Sequence, residues 1–299
     1  MSALFYRFLR GAAGLCGPWL FEATARLIAC GYFLFSPRRA ESLRFYRILF
    51  PEASLGRRLL LTLRQYQNFT TIHLDRFLHE VGRPAQFTSS GWEQLEEACQ
   101  EGGAILLMSH LGNWEMAATL LKERHQGLRL LLYMGVKEGE AVEGVQKNEL
   151  RRDGVEIIGV DRGQSSPFAA VEALRLLREG GLVSIAADIV WRDEQRQVKV
   201  PFLGGVARLP AAPFILAQLS GRPLFVFFAF RIGANRYQVP LSAPMYVDKG
   251  PRQGRQQAIT TAAGRYATLL EEAVRRHPGQ WYHFDRFVHE GEAGACDVP

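Results

Sequence analysis

The fold is decided by residues 102–115, GGAILLMSHLGNWE. Ala104–Met108 is a continuous apolar run, which predicts a short strand buried on both faces, and the glycine pair before it supplies the turn into that strand. Asn113 suits the N-cap of a following helix, which places Glu115 in the first helical turn. His110 then lies where a strand ends, at the edge of an open α/β sheet where ligands bind.

His110 and Glu115 are the candidate catalytic residues. Within one helix, five residues turn two side chains about 140° apart, but with His110 in the loop and Glu115 on the helix the chain can bring the two together. A carboxylate on one ring nitrogen fixes the imidazole tautomer and increases the basicity of the other nitrogen, which makes a general base for a hydroxyl. The alternative is a capped helix in which both are merely polar loop groups.

The neighbouring residues favour catalysis. Residues 110–115, HLGNWE, resemble the His-x-x-x-x-Asp/Glu block of the glycerolipid acyltransferase superfamily, and most closely the late acyltransferases of lipid A biosynthesis. The resemblance also includes an apolar N-terminus, Asp188, the block around Pro201 and a Pro-x-Gln-Trp segment at 278–281. Two departures mark a divergent member: YMGVK at 133–137 replaces an Arg-Pro pair, and HFDRF at 283–287 replaces a His-Arg-Arg run.

The resemblance implies a fatty acyl thioester donor, on acyl carrier protein or coenzyme A, and a hydroxyl of a membrane lipid or glycolipid as acceptor, without a cofactor. His110 would take the hydroxyl proton as the oxygen attacks the thioester carbonyl, and Glu115 would orient and charge-balance the ring. It also assigns a role to Asp188, which by itself fits a turn equally well. No metal site is predicted, because the histidines lack metal-ligand spacing.

The net charge of the chain indicates which classes of partner it can bind. The net charge of +6 over 299 residues favours an anionic surface, such as lipid headgroups, an acidic carrier protein or nucleic acid. Nucleic acid is not an expected partner, since no zinc-finger spacing or ribonucleoprotein motif is present. Cations around residues 198–204 could hold a phosphate or pantetheine arm, although each alone is more often a solvated charge. The candidate substrate-binding residues are Asn113, Asp188, Arg192, Lys199 and Arg208.

The most hydrophobic long stretch is residues 4–35. Charges and a proline interrupt it, so a helix pair lying in the membrane interface fits as well as a single span; the alternative is an apolar helix packed on the domain itself. The arginines that follow, from Arg38 to Arg47, favour the cytoplasmic face of a bacterial inner membrane. We therefore predict a membrane-associated helical segment over residues 1–50, an N-terminal anchor, and an acyltransferase domain over 51–299.

The remaining pattern alternates strands and helices. This alternation predicts an α/β fold with a mostly parallel sheet that helices cover on both faces. The predicted helices span residues 54–78, 91–100, 116–121, 139–152, 167–178, 210–220 and 253–277. The predicted strands span residues 104–108, 128–134, 155–160, 182–189, 223–230 and 236–240.

Two other functions fit parts of the pattern. A lipid or thioester hydrolase would use the same His/Glu dyad to activate water, although the absence of a Gly-x-Ser-x-Gly elbow disfavours serine hydrolysis. A non-catalytic membrane-binding scaffold would keep the apolar N-terminus and the basic charge but would need neither His110 nor Glu115.

Overall fold

The computed structural model describes residues 11–12, 17–80, 82–124, 129–136, 156–161, 167–190 and 194–290. Its helices are α1 (Pro18–Phe35), α2 (Arg39–Leu49), α3 (Leu55–Glu80), α4 (Trp92–Glu101), α5 (Trp114–Arg124), α6 (Pro167–Arg178), α7 (Ala212–Ser220) and α8 (Arg255–Arg276), with a 3-10 turn at Pro278–Gln280. Its strands are β1 (Gln86–Ser90), β2 (Ala104–Met108), β3 (Leu130–Val136), β4 (Glu156–Asp161), β5 (Leu182–Ala186), β6 (Gln197–Phe202), β7 (Gly205–Pro210), β8 (Leu224–Val226), β9 (Phe230–Gly233) and β10 (Arg236–Pro240).

The central sheet has five parallel strands in the order β4-β3-β5-β2-β8. Every residue of β2 is buried, as the apolar run predicts. Alternate β2 side chains enter two different cores: Ile105 and Leu107 pack with α6, α7 and α8, whereas Leu106 and Met108 pack with α4 and α5. The predicted α/β fold, with helices on both faces of a parallel sheet, is therefore confirmed.

The segment predicted as one strand over 223–230 is corrected by the structure. It divides into β8, which pairs with β2 in the central sheet, and β9, which pairs with β10 in a separate sheet of order β1-β10-β9. Between them, the N–H of Phe227 donates to the Leu107 carbonyl and the Ala229 carbonyl accepts from Asn113. The bond to Leu107 continues the pairing of β8 with β2, whereas the bond from Asn113 ties Ala229 to the motif loop where the chain leaves the central sheet.

The block around Pro201 forms a hairpin. Strands β6 and β7 are antiparallel, and the two-residue turn between them has positive φ at both Leu203 and Gly204, the conformation that suits a tight hairpin. The predicted helix at 139–152 lies outside the described residues, and the division of the chain at residue 50 stays a prediction.

Helix α1 packs one face on α3, where Phe21 and Ala25 meet Leu74 and Leu78. None of the helices in the described part of the chain is both long and apolar enough to cross a membrane. The N-terminal anchor is therefore not supported as a span.

Candidate active site

His110 lies in the loop after β2, at the carboxyl edge of the central sheet, and its partner there is Asp188. The Asp188 carboxylate accepts the His110 backbone N–H at 2.7 Å and lies 2.9 Å from the ring Nδ1. Because a carboxylate only accepts, Nδ1 carries the proton and Nε2 is left with the lone pair of a base. The His110 side chain is 31% exposed and that of Asp188 is 0% exposed, so the ring meets the site and the carboxylate lies behind it.

The Asp188 carboxyl group is ionised despite its burial. Burial alone would raise its pKa, but the neighbouring His110 outweighs this through its charge and its hydrogen bonds, and the net shift of the pKa is downward. A fixed negative charge behind the ring stabilises the imidazolium that forms when Nε2 accepts a proton.

The carboxylate on Nδ1 of His110 is that of Asp188 and not that of Glu115, the predicted partner. Glu115 does lie in the first turn of α5, but its carboxylate is bonded by the guanidinium of Arg76 on α3, with Nε at 3.0 Å and a second contact from Nη2. The parallel register aligns Met108 with Ala186, so residue 188 ends level with residue 110. Asp188 therefore takes the position on Nδ1.

Asn113 directly precedes α5, as predicted for an N-cap, but its side chain does not cap the helix. Its Nδ2 donates to the Tyr237 hydroxyl at 3.2 Å, and its buried Oδ1 has no hydrogen-bond partner among the described residues. Gly112 lies against the Ala229 carbonyl with φ +80°, where a Cβ would clash with that backbone. The turn that carries His110 is thus fixed by close backbone packing.

The structure describes two of the three predicted substrate-binding cations. Lys199 and Arg208 are directly opposite each other across the β6–β7 hairpin, an arrangement in which like charges repel. Arg192 lies outside the described residues. Binding roles for all three, and for Asn113 and Asp188, stay predictions.

A second histidine near the site was not singled out from the sequence. The rings of His110 and His283 are 6.5 Å apart between centroids, and the N–H of Tyr282 donates to the His110 carbonyl at 2.7 Å. Burial lowers the pKa of His283, which favours its neutral form. The feature of the sequence that could have identified it is the aromatic run at 281–287, which the structure packs against His110.

An apolar pocket opens between the sheet and helices α4 and α5. Its wall begins at Trp114, the residue after Asn113, and continues along α5 through Ala118 to Leu121. Ser184 is its polar member. Among the described residues no group of three or more His, Cys, Asp or Glu side chains is placed to hold a metal ion.

The model of a known family, the bacterial lipid A biosynthesis acyltransferases, matches residues 65–288. The chain belongs to this family. The matched region of the lipid A acyltransferase family includes the His110 motif, Asp188 and the aromatic run at 281–287, so the resemblance stated from the sequence is confirmed.

Distant relatives are consistent with a divergent member of the lipid A acyltransferase family. A phosphatidylinositol mannoside acyltransferase of Mycobacterium tuberculosis strain H37Rv is 29% identical over 207 residues, which are 68% of this chain and 60% of that protein. The protein of the same name from Mycolicibacterium smegmatis is 27% identical over 185 residues, which are 60% of this chain and 55% of that protein. The chain thus aligns with somewhat more than half the length of these relatives.

Proposed function

We propose that this protein is an acyltransferase that moves a fatty acyl chain from a thioester to a hydroxyl of a membrane lipid or glycolipid. The observation that carries the proposal is the pair of His110 and Asp188 at the carboxyl edge of the sheet, in which a buried carboxylate on Nδ1 leaves the basic lone pair on Nε2. Membership in the lipid A acyltransferase family and the two acyltransferase relatives support it.

In the proposed reaction, Nε2 of His110 removes the proton of the acceptor hydroxyl while its oxygen bonds to the thioester carbonyl carbon. The carbon–sulfur bond then breaks, and the departing thiolate takes the proton from the imidazolium, so that an ester and a thiol result. Asp188 keeps the proton on Nδ1 and stabilises the imidazolium. A positioned base of this kind contributes about 10²–10⁴-fold to a rate.

Glu115 keeps a place in the proposed machinery, with a part different from the predicted one. Its ion pair with Arg76 joins the first turn of α5 to α3, and both side chains are mostly buried. Since α5 begins one residue after Asn113, this ion pair holds the helix that follows the His110 turn. We assign Glu115 to positioning the start of α5 and to balancing the charge of Arg76.

The apolar pocket beside Trp114 is the proposed site of the acyl chain. It starts next to the motif, and its walls are almost wholly hydrophobic, which suits an alkyl chain because burial of each CH₂ group is worth about 0.8 kcal/mol. Its free volume is about 20 Å³, so the walls must move apart to admit the chain. For the donor head we propose the cations Lys199 and Arg208, with Arg192, as partners of the phosphate on an acyl carrier protein or coenzyme A.

Helix α1 is the proposed contact with the membrane, at the cytoplasmic face of a bacterial inner membrane. Leu27 and Leu34 lie seven residues apart, hence on one helical face, and are 74% and 58% exposed. This face lies opposite the side that packs on α3, and an apolar face of this kind can lie in the headgroup region without spanning the bilayer.

The membrane contact is tested by sedimentation with phosphatidylglycerol–phosphatidylethanolamine vesicles. The double variant Leu27→Glu/Leu34→Glu should bind at least tenfold more weakly than the parent. Leu219→Glu is the matched control, since Leu219 on α7 is 62% exposed, and it should bind normally. Equal weakening by both variants would mean that α1 is not the contact.

The acyltransferase proposal is tested by mass spectrometry of lipids incubated with acyl carrier protein or coenzyme A thioesters. The parent protein should produce an acylated lipid, and His110→Ala should lose that product, while His79→Ala at the end of α3 should retain it. Release of free fatty acid without an acylated lipid would favour the hydrolase. Normal acyl transfer by folded His110→Ala would remove the mechanism.

A further inference from the structure

A buried polar network joins the motif turn to parts of the chain that are distant in sequence. One half of it starts at Asn113, whose Nδ2 donates to the hydroxyl of Tyr237 on β10 at 3.2 Å. That hydroxyl in turn donates to the carboxylate of Asp75 on α3. Asp75 is fully buried although it does not touch the reacting groups, and removing a carboxylate from water costs a large desolvation free energy.

The other half returns from Asp75 to the same turn. Arg231 on β9 binds the Asp75 carboxylate with two contacts, Nε at 2.7 Å and Nη2 at 3.1 Å. The backbone of Arg231 is gripped by the side-chain amide of Gln280, which accepts its N–H at 2.8 Å and donates to its carbonyl at 3.0 Å. The Gln280 carbonyl then accepts the N–H of Gly112 at 2.8 Å.

These bonds form a closed ring around the residues that follow His110. We call it the Asp75 ring, and its members are Gly112, Asn113, Tyr237, Asp75, Arg231 and Gln280. Tyr237 and Arg231 are register partners on neighbouring strands, so the sheet itself sets the separation that Asp75 bridges.

The ring has a fixed direction of donation. Burial and then the adjacent Asp75 carboxylate raise the pKa of the Tyr237 phenol well above its usual value, so the phenol keeps its proton. Its one proton goes to Asp75, and its oxygen lone pairs receive the Asn113 amide. The orientation of Asn113 is therefore dictated by a carboxylate two bonds away.

We propose that Asp75, Tyr237 and Arg231 are positioning residues for acyl transfer, which act by holding the Gly112–Asn113 turn and through it the imidazole of His110. The proposal rests on the proposed function of His110 as the base. The ring carries no net charge, since Arg231 balances Asp75, and its bonds converge on the two backbone positions that set the direction of the motif loop.

The experiment compares Tyr237→Phe with Tyr46→Phe, using the thioester and lipid pair accepted by the parent enzyme. Both variants remove the hydroxyl of a buried tyrosine that makes a hydrogen bond, but the Tyr46 hydroxyl, as far as the structure describes the chain, bonds to the Pro278 carbonyl at 3.3 Å and is not in the ring. A displaced base lowers the rate of the bound complex rather than substrate affinity, by up to about 10²-fold. Tyr237→Phe should lower kcat by about 10- to 100-fold with both KM values within about twofold, while Tyr46→Phe should change neither parameter by more than about twofold.

A second variant approaches the ring from its other side. Gln280→Leu removes the grip on Arg231 and should give the same loss in kcat alone. The double variant Asn113→Ala/Tyr237→Phe should be no slower than the slower of its two single variants, because each single variant already removes the bond between Asn113 and Tyr237.

Each outcome decides the proposal. A kcat for Tyr237→Phe and Gln280→Leu equal to that of Tyr46→Phe, or a loss confined to KM, overturns the positioning role. His110→Ala in the same assay separates this from failure of the proposed function: an active His110→Ala protein refutes the base itself, whereas an inactive one with fully active ring variants refutes only the ring.

Discussion

The change of Asp188 to Asn tests the pairing that distinguishes the structure from the simplest interpretation of the motif. Asp188 offers one oxygen to the His110 backbone N–H and the other to Nδ1. Asn has one oxygen and one NH₂ group, so it can accept only one of these two protons. If its oxygen stays on the backbone N–H, its NH₂ group faces Nδ1, and the ring proton must move to Nε2.

The expected loss follows from that shift of the proton. With Nε2 protonated, His110 has no lone pair to accept the proton of the acceptor hydroxyl, and the contribution of the base is lost. This contribution is about 10²–10⁴-fold in kcat, which corresponds to about 3–5 kcal/mol of transition-state stabilisation. Because the carboxylate is 0% exposed and lies behind the ring, KM should change by no more than about threefold, as expected when only a transition-state interaction is removed.

Initial rates at saturating donor and acceptor measure this effect, and circular dichroism and thermal melting check that the variant folds. The double variant His110→Ala/Asp188→Asn should be no slower than His110→Ala, since the two residues act as one unit. The mutation Asp248→Asn, in the exposed segment before α8, serves as a charge control and should leave kcat unchanged. A folded Asp188→Asn protein that keeps more than about a tenth of the parental kcat would refute the argument.

Three further expectations follow from the same structure. Burial, aided by Arg76, lowers the pKa of His73 from 6.5 to about 4. Below pH 6.5 the unfolded chain therefore binds a proton that the folded protein does not, so the free energy of unfolding should fall by at most about 2 kcal/mol from pH 7 to 5. In urea unfolding, His73→Phe should not show this part of the pH dependence. Glu115→Gln should destabilise the fold by about 3 kcal/mol because it removes one charge of a mostly buried ion pair, and adding Arg76→Gln should restore the melting temperature. Ala118→Phe should narrow the acyl pocket and lower kcat/KM for long thioesters relative to short ones at least tenfold, whereas Thr119→Phe, which does not line the pocket, should not.

Elements with a strong local signal were predictable from the sequence. The strand Ala104–Met108 and the helix Pro167–Arg178 have the predicted bounds, since a wholly apolar run and a proline–glycine pair of boundaries are encoded within a few residues. The prediction of one strand over 223–230 was wrong because its division depends on the bond of Ala229 to the motif loop, more than a hundred residues earlier, and on the pairing of Phe230 with β10. No local pattern contains that information.

The site was predictable in its location and not in its pairings. The sequence predicted His110 and Asp188 at the carboxyl edge of the sheet, and both side chains lie there, but the bond of Asp188 to Nδ1 depends on the register between β2 and β5. Asp75 and Arg76 were missed because charged residues on a helix with an apolar stripe normally face solvent, whereas both are buried here. Their partners lie 156 and 39 residues away.

The two carboxylates of the site therefore differ in what their positions allow. Asp188 lies two residues beyond β5, and the register of β5 on β2 brings its carboxylate to 2.9 Å from Nδ1 of His110, which suits the control of a single proton. Glu115 belongs to a helix that starts just after the motif turn, and its bond to Arg76 ties that start to α3. On the proposed mechanism, the spacing of five residues between His110 and Glu115 is then a constraint on where the helix begins.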